Sequence, residues 1–338
     1  MKTILVTGAT GFIATNLIKH LLQDKNVRVI GIDKVGYAST PLKFTNHYKN
    51  KNFLFIKIDM CNFVKLYKKI KYYKPSIIIN MAADSHVDKS IDGPIPFIQN
   101  NITSTLNLLE SVRKLKIGNL KKIIHISTDE VYGDFYKKPR IETDIYTPNS
   151  PYSASKASVD HICNAYKKTY RLPITILNSC NNYGPYQFTE KFIPTAIIKL
   201  MLKKKIPIYG NGKNVREWIF VDDFCLAIKK VINFKTKYDH YNIGSNIRLS
   251  NLDLAKTIIK LFYNEKKKYN NHIIFVKDRP GHDLKYLVNS NRLRKETGWK
   301  ERSNFINSIK DTIDWYRKNP EWLKNTYKSY RNQRQGIN

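Results

Sequence analysis

The 338-residue sequence lacks the features that mark membrane proteins, disulfide-rich domains and zinc sites. No run of about 18 apolar residues is long enough to span a bilayer, and glycines interrupt residues 1–30 before any leader-like segment is complete. The four cysteines are scattered without a Cys-x-x-Cys pair, and the eight histidines show no His-Glu-x-x-His spacing. We therefore expect a cytoplasmic protein without a leader, a membrane partner or a bound metal.

Acidic residues are also scarce, with 27 Asp and Glu against 59 Lys and Arg, which gives a net charge of +32. Such a balance can indicate a module that binds nucleic acid or another polyanion, because Lys and Arg neutralise phosphates. The lysines are spread along the whole chain instead of being clustered, so no specific nucleic-acid partner is expected. The positive field would also attract an anionic nucleotide substrate.

The sequence does begin with the context of a dinucleotide-binding fingerprint. A β-branched run over residues 2–7 predicts a strand, and the helical spacing of residues 16–22 predicts a helix after the glycine turn. Gly8 permits the tight turn, Gly11 lets the backbone approach a pyrophosphate, and the small Ala14 lets the helix pack on the strand. The phosphates would then lie at the N-terminus of the helix.

Three further predicted strands end in residues suited to the rest of a dinucleotide. Asp33 lies where an acidic side chain binds the adenosine ribose and repels a 2′-phosphate, so NAD is favoured over NADP. Lys34 beside it could instead tolerate that phosphate. Asp59 is a candidate for the adenine edge, and the small residues 82–83 would let the backbone approach the cofactor.

Two polar motifs contain the residue types needed for acid–base chemistry. Thr128, Asp129 and Glu130 follow an apolar run that predicts a buried parallel strand, so they should lie at its carboxyl end, where open α/β sheets bind ligands. Tyr152 and Lys156 are one helical turn apart and share a face. The ammonium would favour the ionised phenol, which is a general base near neutral pH. Each motif alone is common, but together behind a nucleotide fingerprint they predict a catalytic site.

The alternation of predicted strands and helices indicates an α/β fold with a doubly wound parallel sheet (a Rossmann fold). Residues 1–180, completed by a return segment at about 218–247, would form the NAD-binding domain. Residues 181–217 and 248–330 would form a smaller, interleaved C-terminal substrate lobe, since a single core stops growing near ~250–300 residues.

The motifs resemble those of the extended short-chain dehydrogenase/reductases and, within them, those of the nucleotide-sugar 4,6-dehydratases. The similarity covers nearly the whole chain and rests on residues 7–14, 82–88, 127–133, 152–156, 181–185 and 278–283. It implies an NAD-dependent enzyme that removes water from a nucleotide-activated glucose, giving a 4-keto-6-deoxy sugar for deoxysugar (rhamnose-type) biosynthesis. Whether the nucleotide is dTDP or UDP stays open, because residues 11–14 and 319–322 also match eukaryotic UDP-glucose 4,6-dehydratases.

The resemblance implies a role for each motif. Tyr152 would accept the proton of the sugar 4-hydroxyl, assisted by Thr128 and Lys156. Glu130 would then remove the C5 proton, and Asp129 would protonate the departing 6-hydroxyl. The implied cofactor-binding residues are Gly8, Gly11, Phe12, Ile13, Asp33, Lys34, Asp59, Met60, Ala82, Ala83, Tyr152 and Lys156. The implied substrate-binding residues are Ser85, His86, Asn181, Glu190, Lys191, Pro207, Ile208, Tyr209, Arg216, Asn251, Asp278, Arg279 and His282.

The family also implies a homodimer, formed through the predicted helices over residues 97–115 and 153–170. Two alternatives remain for the function. Nucleotide-sugar 4-epimerases share the fold and the Tyr-x-x-x-Lys motif but commonly have small residues after the Ser or Thr of the first motif. A non-catalytic NAD-binding or polyanion-binding module would not need Asp129 and Glu130, so this pair favours the dehydratase.

Overall fold

The computed structural model of the chain describes residues 1–134, 138–264 and 269–330. The strands are β1 Lys2–Thr7, β2 Val27–Asp33, β3 Phe53–Lys57, β4 Ile77–Asn80, β5 Lys122–Thr128, β6 Ile174–Ser179, β7 Asn181–Tyr183, β8 Ile206–Tyr209, β9 Val215–Phe220, β10 His240–Ile243, β11 Arg248–Ser250, β12 Ile273–Val276 and β13 Lys285–Tyr286. The central sheet has seven strands in the order β10-β6-β5-β4-β1-β2-β3, and all neighbours are parallel.

Helices cover both faces of this sheet. They are α1 Phe12–Leu21, α2 Phe63–Tyr73, α3 Val87–Asp92, α4 Pro94–Leu115, α5 Pro151–Tyr170, α6 Phe192–Met201, α7 Val221–Asn233, α8 Asn251–Tyr263, α9 Asn291–Thr297, α10 Phe305–Lys318 and α11 Pro320–Tyr330. Residues of α1 and α7 pack against one face, and residues of α2, α4 and α5 pack against the other. Within the part of the chain that the structure describes, no helix is long and apolar enough to cross a membrane.

The apolar runs of the sequence are explained by burial of the sheet on both sides. In β1 the side chains of Ile4 and Val6 join the core that contains α1, whereas Leu5 joins the core that contains α5. Strands covered on both faces need apolar residues at consecutive positions, not at alternate ones. The predicted doubly wound α/β fold is therefore confirmed, and the order of β1 to β6 is that of dinucleotide-binding sheets.

A second hydrophobic core lies around α6, α8 and α10, with Trp322 among its largest buried side chains. Two small sheets border it. One places β9 between β11 and β13 and also pairs β9 with β7, and the other pairs β8 with β12. These elements bring distant parts of the chain to one side of the central sheet, next to the carboxyl ends of β5 and β6.

Two local predictions differ from the structure. The sequence of residues 181–185 predicts a turn, but Asn181–Tyr183 form β7 because they pair with β9, from Asn181 opposite Trp218 to Tyr183 opposite Phe220. The helix predicted from residue 97 begins at Pro94. Proline is well suited to the first turn of a helix, where its missing N–H is not needed.

Candidate active site

The glycine turn after β1 lies where the strand order of the central sheet reverses: β2 and β3 follow on one side of β1, and β4, β5 and β6 follow on the other. Gly8 has φ +67°, and a Cβ at this position would lie 2.9 Å from the backbone N and Cα of Ala82. Gly11 precedes α1 and donates its N–H to the carbonyl of Gly8 at 2.9 Å. The backbone of the turn therefore packs closely against Ala82 and leads directly into the N-terminus of α1, an arrangement that fits the diphosphate of a dinucleotide.

A first cleft opens next to this glycine turn. All of the predicted cofactor-binding residues line it, and so do Tyr37, Asn100 and Gln187, for which the sequence offered no motif. The carboxylate of Asp33 at the end of β2 accepts the backbone N–H of Thr10 at 3.0 Å and that of Val35 at 2.7 Å. Two backbone donors fix the carboxylate in this orientation, so it is held at the edge of the cleft.

The ammonium of Lys34, which lines the first cleft, contacts residues from two other segments of the chain. It donates to Asn100 Oδ1 at 2.9 Å and lies 3.6 Å from Asp84 Oδ2. Both partners are distant in sequence, so the sequence could not show that this cation is already engaged. In the structure the Lys34 charge is thus paired with an amide oxygen and a carboxylate at the rim of the cleft.

The three-residue acidic motif lies at the carboxyl end of β5, as predicted. Thr128 is the last residue of the strand, and Asp129–Tyr132 form a 3-10 turn directly after it. The Thr128 hydroxyl accepts the N–H of Glu130 at 3.3 Å and lies 3.3 Å from Asp129 Oδ1. The turn closes at Gly133, where φ is +68° and a Cβ would overlap the carbonyl of Thr147. The two carboxyl groups are thus held in fixed positions on one strand end.

The environments of Asp129 and Glu130 differ in their positive neighbours. Burial, Glu130 and Glu217 raise the pKa of Asp129 well above its usual range, whereas Arg216 and the Thr128 hydroxyl oppose this. Burial also raises the pKa of Glu130, but Arg279, Arg216 and Lys191 oppose this. The pKa of Asp129 is therefore raised more strongly than that of Glu130, a difference of the kind that lets one of two neighbouring carboxyl groups stay protonated.

Each of these two carboxyl groups keeps one oxygen available. Among the described residues, Asp129 Oδ2 and Glu130 Oε2 are buried atoms without a hydrogen-bond partner. Buried polar atoms are nearly always paired in folded proteins. Glu130 lines the second cleft described below, so its unpaired oxygen is suited to contact a ligand, whereas Asp129 and Thr128 lie behind it and line neither cleft.

Tyr152 and Lys156 share one face of α5, as the spacing predicts, but no hydrogen bond joins the two described side chains. The Lys156 ammonium donates to the carbonyl of Ile126 at 2.7 Å. Burial and then the negative charge of Glu130 raise the pKa of Tyr152, while a hydrogen bond with Thr128 lowers it. The ionised phenol therefore needs more positive charge than these protein side chains supply.

A second cleft adjoins the first, and Gln187, Glu190 and Lys191 line both. Most of the predicted substrate-binding residues line this second cleft: His86, Asn181, Glu190, Lys191, Pro207, Tyr209, Arg216, Asn251, Arg279 and His282, together with Glu130. Ser85 lines the first cleft instead. Asp88, Trp218 and Tyr286 also line the second cleft, although no sequence signal singled them out.

The buried guanidinium group of Arg216 and the partly buried one of Arg279 contribute positive charge to the second cleft. Arg216 is held by the carbonyls of Val215 and Asp283 at 2.9 Å and lies over the ring of Tyr286. Arg279 donates to Asp88 Oδ1 at 2.9 Å. Oriented guanidinium groups can bind two phosphate oxygens at once, so this cleft suits a diphosphate.

Two predicted substrate residues lie away from both cleft linings. Ile208 is buried in the second hydrophobic core, because side chains alternate along β8 and only Pro207 and Tyr209 face the cleft. Asp278 instead accepts the backbone N–H of Arg279 at 2.8 Å and pairs with His282 at 2.6 Å. It therefore orders the loop that contains these two cleft residues.

Comparisons with known proteins agree with this geometry. The family model described as GDP-mannose 4,6 dehydratase matches residues 5–312. A curated dTDP-glucose 4,6-dehydratase of Neisseria meningitidis is 38% identical, over 99% of each chain. The chain belongs to the dTDP-glucose 4,6-dehydratase family.

Solved structures of relatives support the same family. The dTDP-glucose 4,6-dehydratase of Bacillus anthracis, in complex with NAD, is 36% identical with a TM-score of 0.87, covering 96% of this chain and 100% of its own. The UDP-glucose 4-epimerase of Thermotoga maritima also superposes, with a TM-score of 0.84 over 94% of this chain and 99% of its own, but is only 25% identical. The fold is shared with epimerases, whereas the higher sequence identity is with members of the dTDP-glucose 4,6-dehydratase family.

Proposed function

We propose that this enzyme converts dTDP-glucose to its 4-keto-6-deoxy product, using NAD that is regenerated in each turnover. The observation that carries the proposal is the Asp129–Glu130 pair, in which one acid and one base stand at the carboxyl end of β5. Bound NAD would supply a hydride acceptor at C4 and a hydride donor at C6. The residues of the first cleft would hold it.

The protein side chains would perform the proton transfers. Tyr152 accepts the proton of the 4-hydroxyl, and the ketone formed at C4 acidifies the hydrogen on C5. Glu130 removes that hydrogen as a proton, while Asp129 protonates the 6-hydroxyl so that it leaves as water. Glu130 then returns its proton to C5. The positive charge of an oxidised nicotinamide near the phenol would help to offset the groups that raise the pKa of Tyr152.

Incubation of the wild-type protein with dTDP-glucose and UDP-glucose in separate reactions tests this function. We expect the product from dTDP-glucose to be lighter by one water, and kcat/KM to be higher than with UDP-glucose, as the name of the relatives suggests. The competing function is 4-epimerisation, which the shared fold keeps open. A product of unchanged mass that contains galactose would show epimerisation and reject the proposal.

NAD should restore activity to cofactor-free protein at least ~10-fold better than NADP, a difference of about 1.4 kcal/mol. The reason is that the Asp33 carboxylate is fixed by Thr10 and Val35 at the cleft edge and would repel a 2′-phosphate. Activity with each cofactor at matched concentrations measures this preference. Asp33→Asn should narrow it, whereas Asp24→Asn, a change to an exposed acidic residue, should not. Equal activation of wild type by both cofactors would contradict the role of Asp33.

We also propose a homodimer formed through α4 and α5, as the family resemblance implies. These helices pack side by side and leave Leu106 exposed on their outer surface, next to the partly buried Ile102 and Ile162. Light scattering should give twice the mass of one chain, and Leu106→Glu should shift the equilibrium towards monomer. Leu202→Glu, at an exposed leucine outside these helices, is the matched control. A wild-type monomer at micromolar concentration would reject this interface.

The remaining assignments follow from the same arrangement. Residues 1–180 with 218–247 would bind NAD, and residues 181–217 with 248–330 would bind the nucleotide sugar. We place the enzyme in the cytoplasm, where its four unpaired cysteines would stay reduced. The positive charge is assigned to attraction of an anionic substrate, not to a nucleic-acid partner.

A further inference from the structure

A chain of buried polar side chains runs from Thr7, the last residue of β1, to Asp160 on α5. The Thr7 hydroxyl accepts the backbone N–H groups of Met81 and Ala82 at 3.1 and 3.2 Å. Its own proton is donated to Asn80 Oδ1 at 2.7 Å. The orientation of the Asn80 amide is thereby fixed, with its oxygen towards Thr7.

This orientation determines the tautomer of His125. Asn80 Nδ2 can only donate, and it contacts Thr105 Oγ1 at 3.0 Å and His125 Nδ1 at 3.1 Å. Nδ1 must therefore be an acceptor, so the ring proton is on Nε2. Nε2 lies 3.4 Å from Asp160 Oδ1, a buried oxygen that has no hydrogen-bond partner among the described residues, so the ring and the carboxylate face each other without a formed hydrogen bond.

The chain ends at a fully buried carboxylate. Asp160 Oδ2 accepts the hydroxyls of Ser127 at 2.8 Å and Tyr146 at 3.1 Å. Burial alone would raise the pKa of Asp160, but the adjacent His125 ring, the charge of Lys156 and the Ser127 hydroxyl hold it below its usual value. Asp160 is therefore a negative charge in the interior, and such a charge needs a positive partner.

Lys156 is that partner, although it does not touch Asp160 directly. Both side chains lie on the buried face of α5, one turn apart. The His125 ring stands between them, with Nε2 3.4 Å from Lys156 Nζ and 3.4 Å from Asp160 Oδ1. Burial lowers the pKa of Lys156, and the charge of Asp160 raises it.

We propose that Asp160 and His125 are positioning residues for the reaction. Asp160 supplies the buried negative charge that keeps Lys156 an ammonium, and the His125 ring keeps the two groups apart so that the ammonium stays at the Tyr152 end of the helix. A direct ion pair would hold Lys156 against Asp160 and draw its charge away from the phenol. Because His125 Nε2 carries a proton, the ring does not accept a proton from Lys156. The role of the chain is therefore to keep the negative charge of Asp160 in place, not to transfer protons. This inference rests on the proposed function of Tyr152 and Lys156.

The charge of Asp160 should be visible in the pH dependence of the first oxidation. The titratable groups near Lys156 are His125 on β5 and Tyr152, Asp160 and Cys163 on its own helix. At low pH the rate falls as Tyr152 is protonated. At high pH it falls as Lys156 loses its proton. Removing Asp160 therefore moves the high-pH decrease to lower pH.

Asp160→Asn tests this with almost no change in shape. The rate of formation of bound NADH from dTDP-glucose is measured by absorbance in single turnovers across pH. We expect the high-pH decrease to move down by ~1–3 pH units, the size expected when an opposite charge a few Å away is removed. Tyr146→Phe is the matched control, because it removes a hydrogen bond to the same carboxylate but leaves the charge, and its high-pH decrease should stay in place. Identical profiles for Asp160→Asn and Tyr146→Phe would mean that the network is only structural and would overturn the inference.

Two His125 variants provide a test that does not depend on the folding of Asp160→Asn. His125→Gln can still accept from Asn80 and keeps a polar group between Lys156 and Asp160, so it should keep a rate of bound NADH formation close to that of wild type. His125→Met removes the bond with Asn80 and lets the ammonium approach Asp160, so the maximal rate of bound NADH formation should fall by at least ~10-fold, with little change in the dTDP-glucose concentration that gives half of that rate. Equal maximal rates of bound NADH formation for the two variants would contradict the positioning role. A wild type that reduces its NAD but forms no dehydrated product would reject the proposed function alone, since the positioning test uses only the first oxidation.

Discussion

Glu130→Gln is expected to lower formation of the 4-keto-6-deoxy sugar by at least ~10²-fold, the usual scale for a general acid–base group. Glutamine keeps the shape of the side chain but cannot take the C5 proton. Tyr152 remains intact, so oxidation at C4 should continue and bound NADH should accumulate. Product mass and the absorbance of bound NADH, followed in one experiment, measure the two effects.

The matched control for this variant is Glu142→Gln. Glu142 is another largely buried glutamate whose pKa is raised by burial, and it accepts the backbone N–H of Asn242 at 3.0 Å. It does not line either cleft. Its variant should therefore keep dehydration close to the wild-type rate. Undiminished product from Glu130→Gln would mean that another group removes the C5 proton, and loss of both NADH and product would mean that Glu130 acts before elimination.

Tyr152→Phe should have an even larger effect, with loss of product by ~10³-fold or more, within the range for positioned acid–base groups. The phenol oxygen is the atom that accepts the 4-hydroxyl proton, and without it C4 cannot be oxidised efficiently. No bound NADH should accumulate, in contrast to Glu130→Gln. NAD binding, measured by titration, should change little because the ring remains in place.

Tyr132→Phe is the control for general damage to this region. Tyr132 is buried beside the same strand end, but its hydroxyl donates to Asn242 Oδ1 at 2.9 Å, away from the clefts. Loss of this hydroxyl should lower the free energy of unfolding by about 1 kcal/mol. The rate of the first oxidation should stay close to that of wild type. Rapid accumulation of NADH in Tyr152→Phe would show that a different base begins the reaction.

These two variants separate steps that the sequence motifs only suggested. The sequence predicted that Lys156 would favour the ionised phenol, yet in the structure burial and Glu130 raise the pKa of Tyr152. The same surroundings also raise the pKa of Asp129, which suits its role as the acid. The low-pH decrease of the first oxidation should therefore follow the tyrosine, with the rate increasing as pH rises.

The sequence by itself determined the features that depend on residues close to one another along the chain. The strand over residues 2–7 was predicted with its exact ends, because a β-branched run stops at a glycine that requires positive φ. The positions of Thr128, Asp129 and Glu130 followed from the apolar run before them. The shared face of Tyr152 and Lys156 followed from the pitch of a helix.

The tertiary structure alone decided which distant side chains meet. Lys34 is engaged by Asn100, 66 positions away, so its charge could not be assigned from the residues beside it. The turn predicted after β6 became a strand because β9 pairs with it, and Ile208 faces the core because of the way β8 packs. Lys156 lies against His125 and Ile126 because α5 packs on β5. Hydrogen bonds, burial and charge act over a few Å in space, and only the packing of sheet and helices places these residues within that distance.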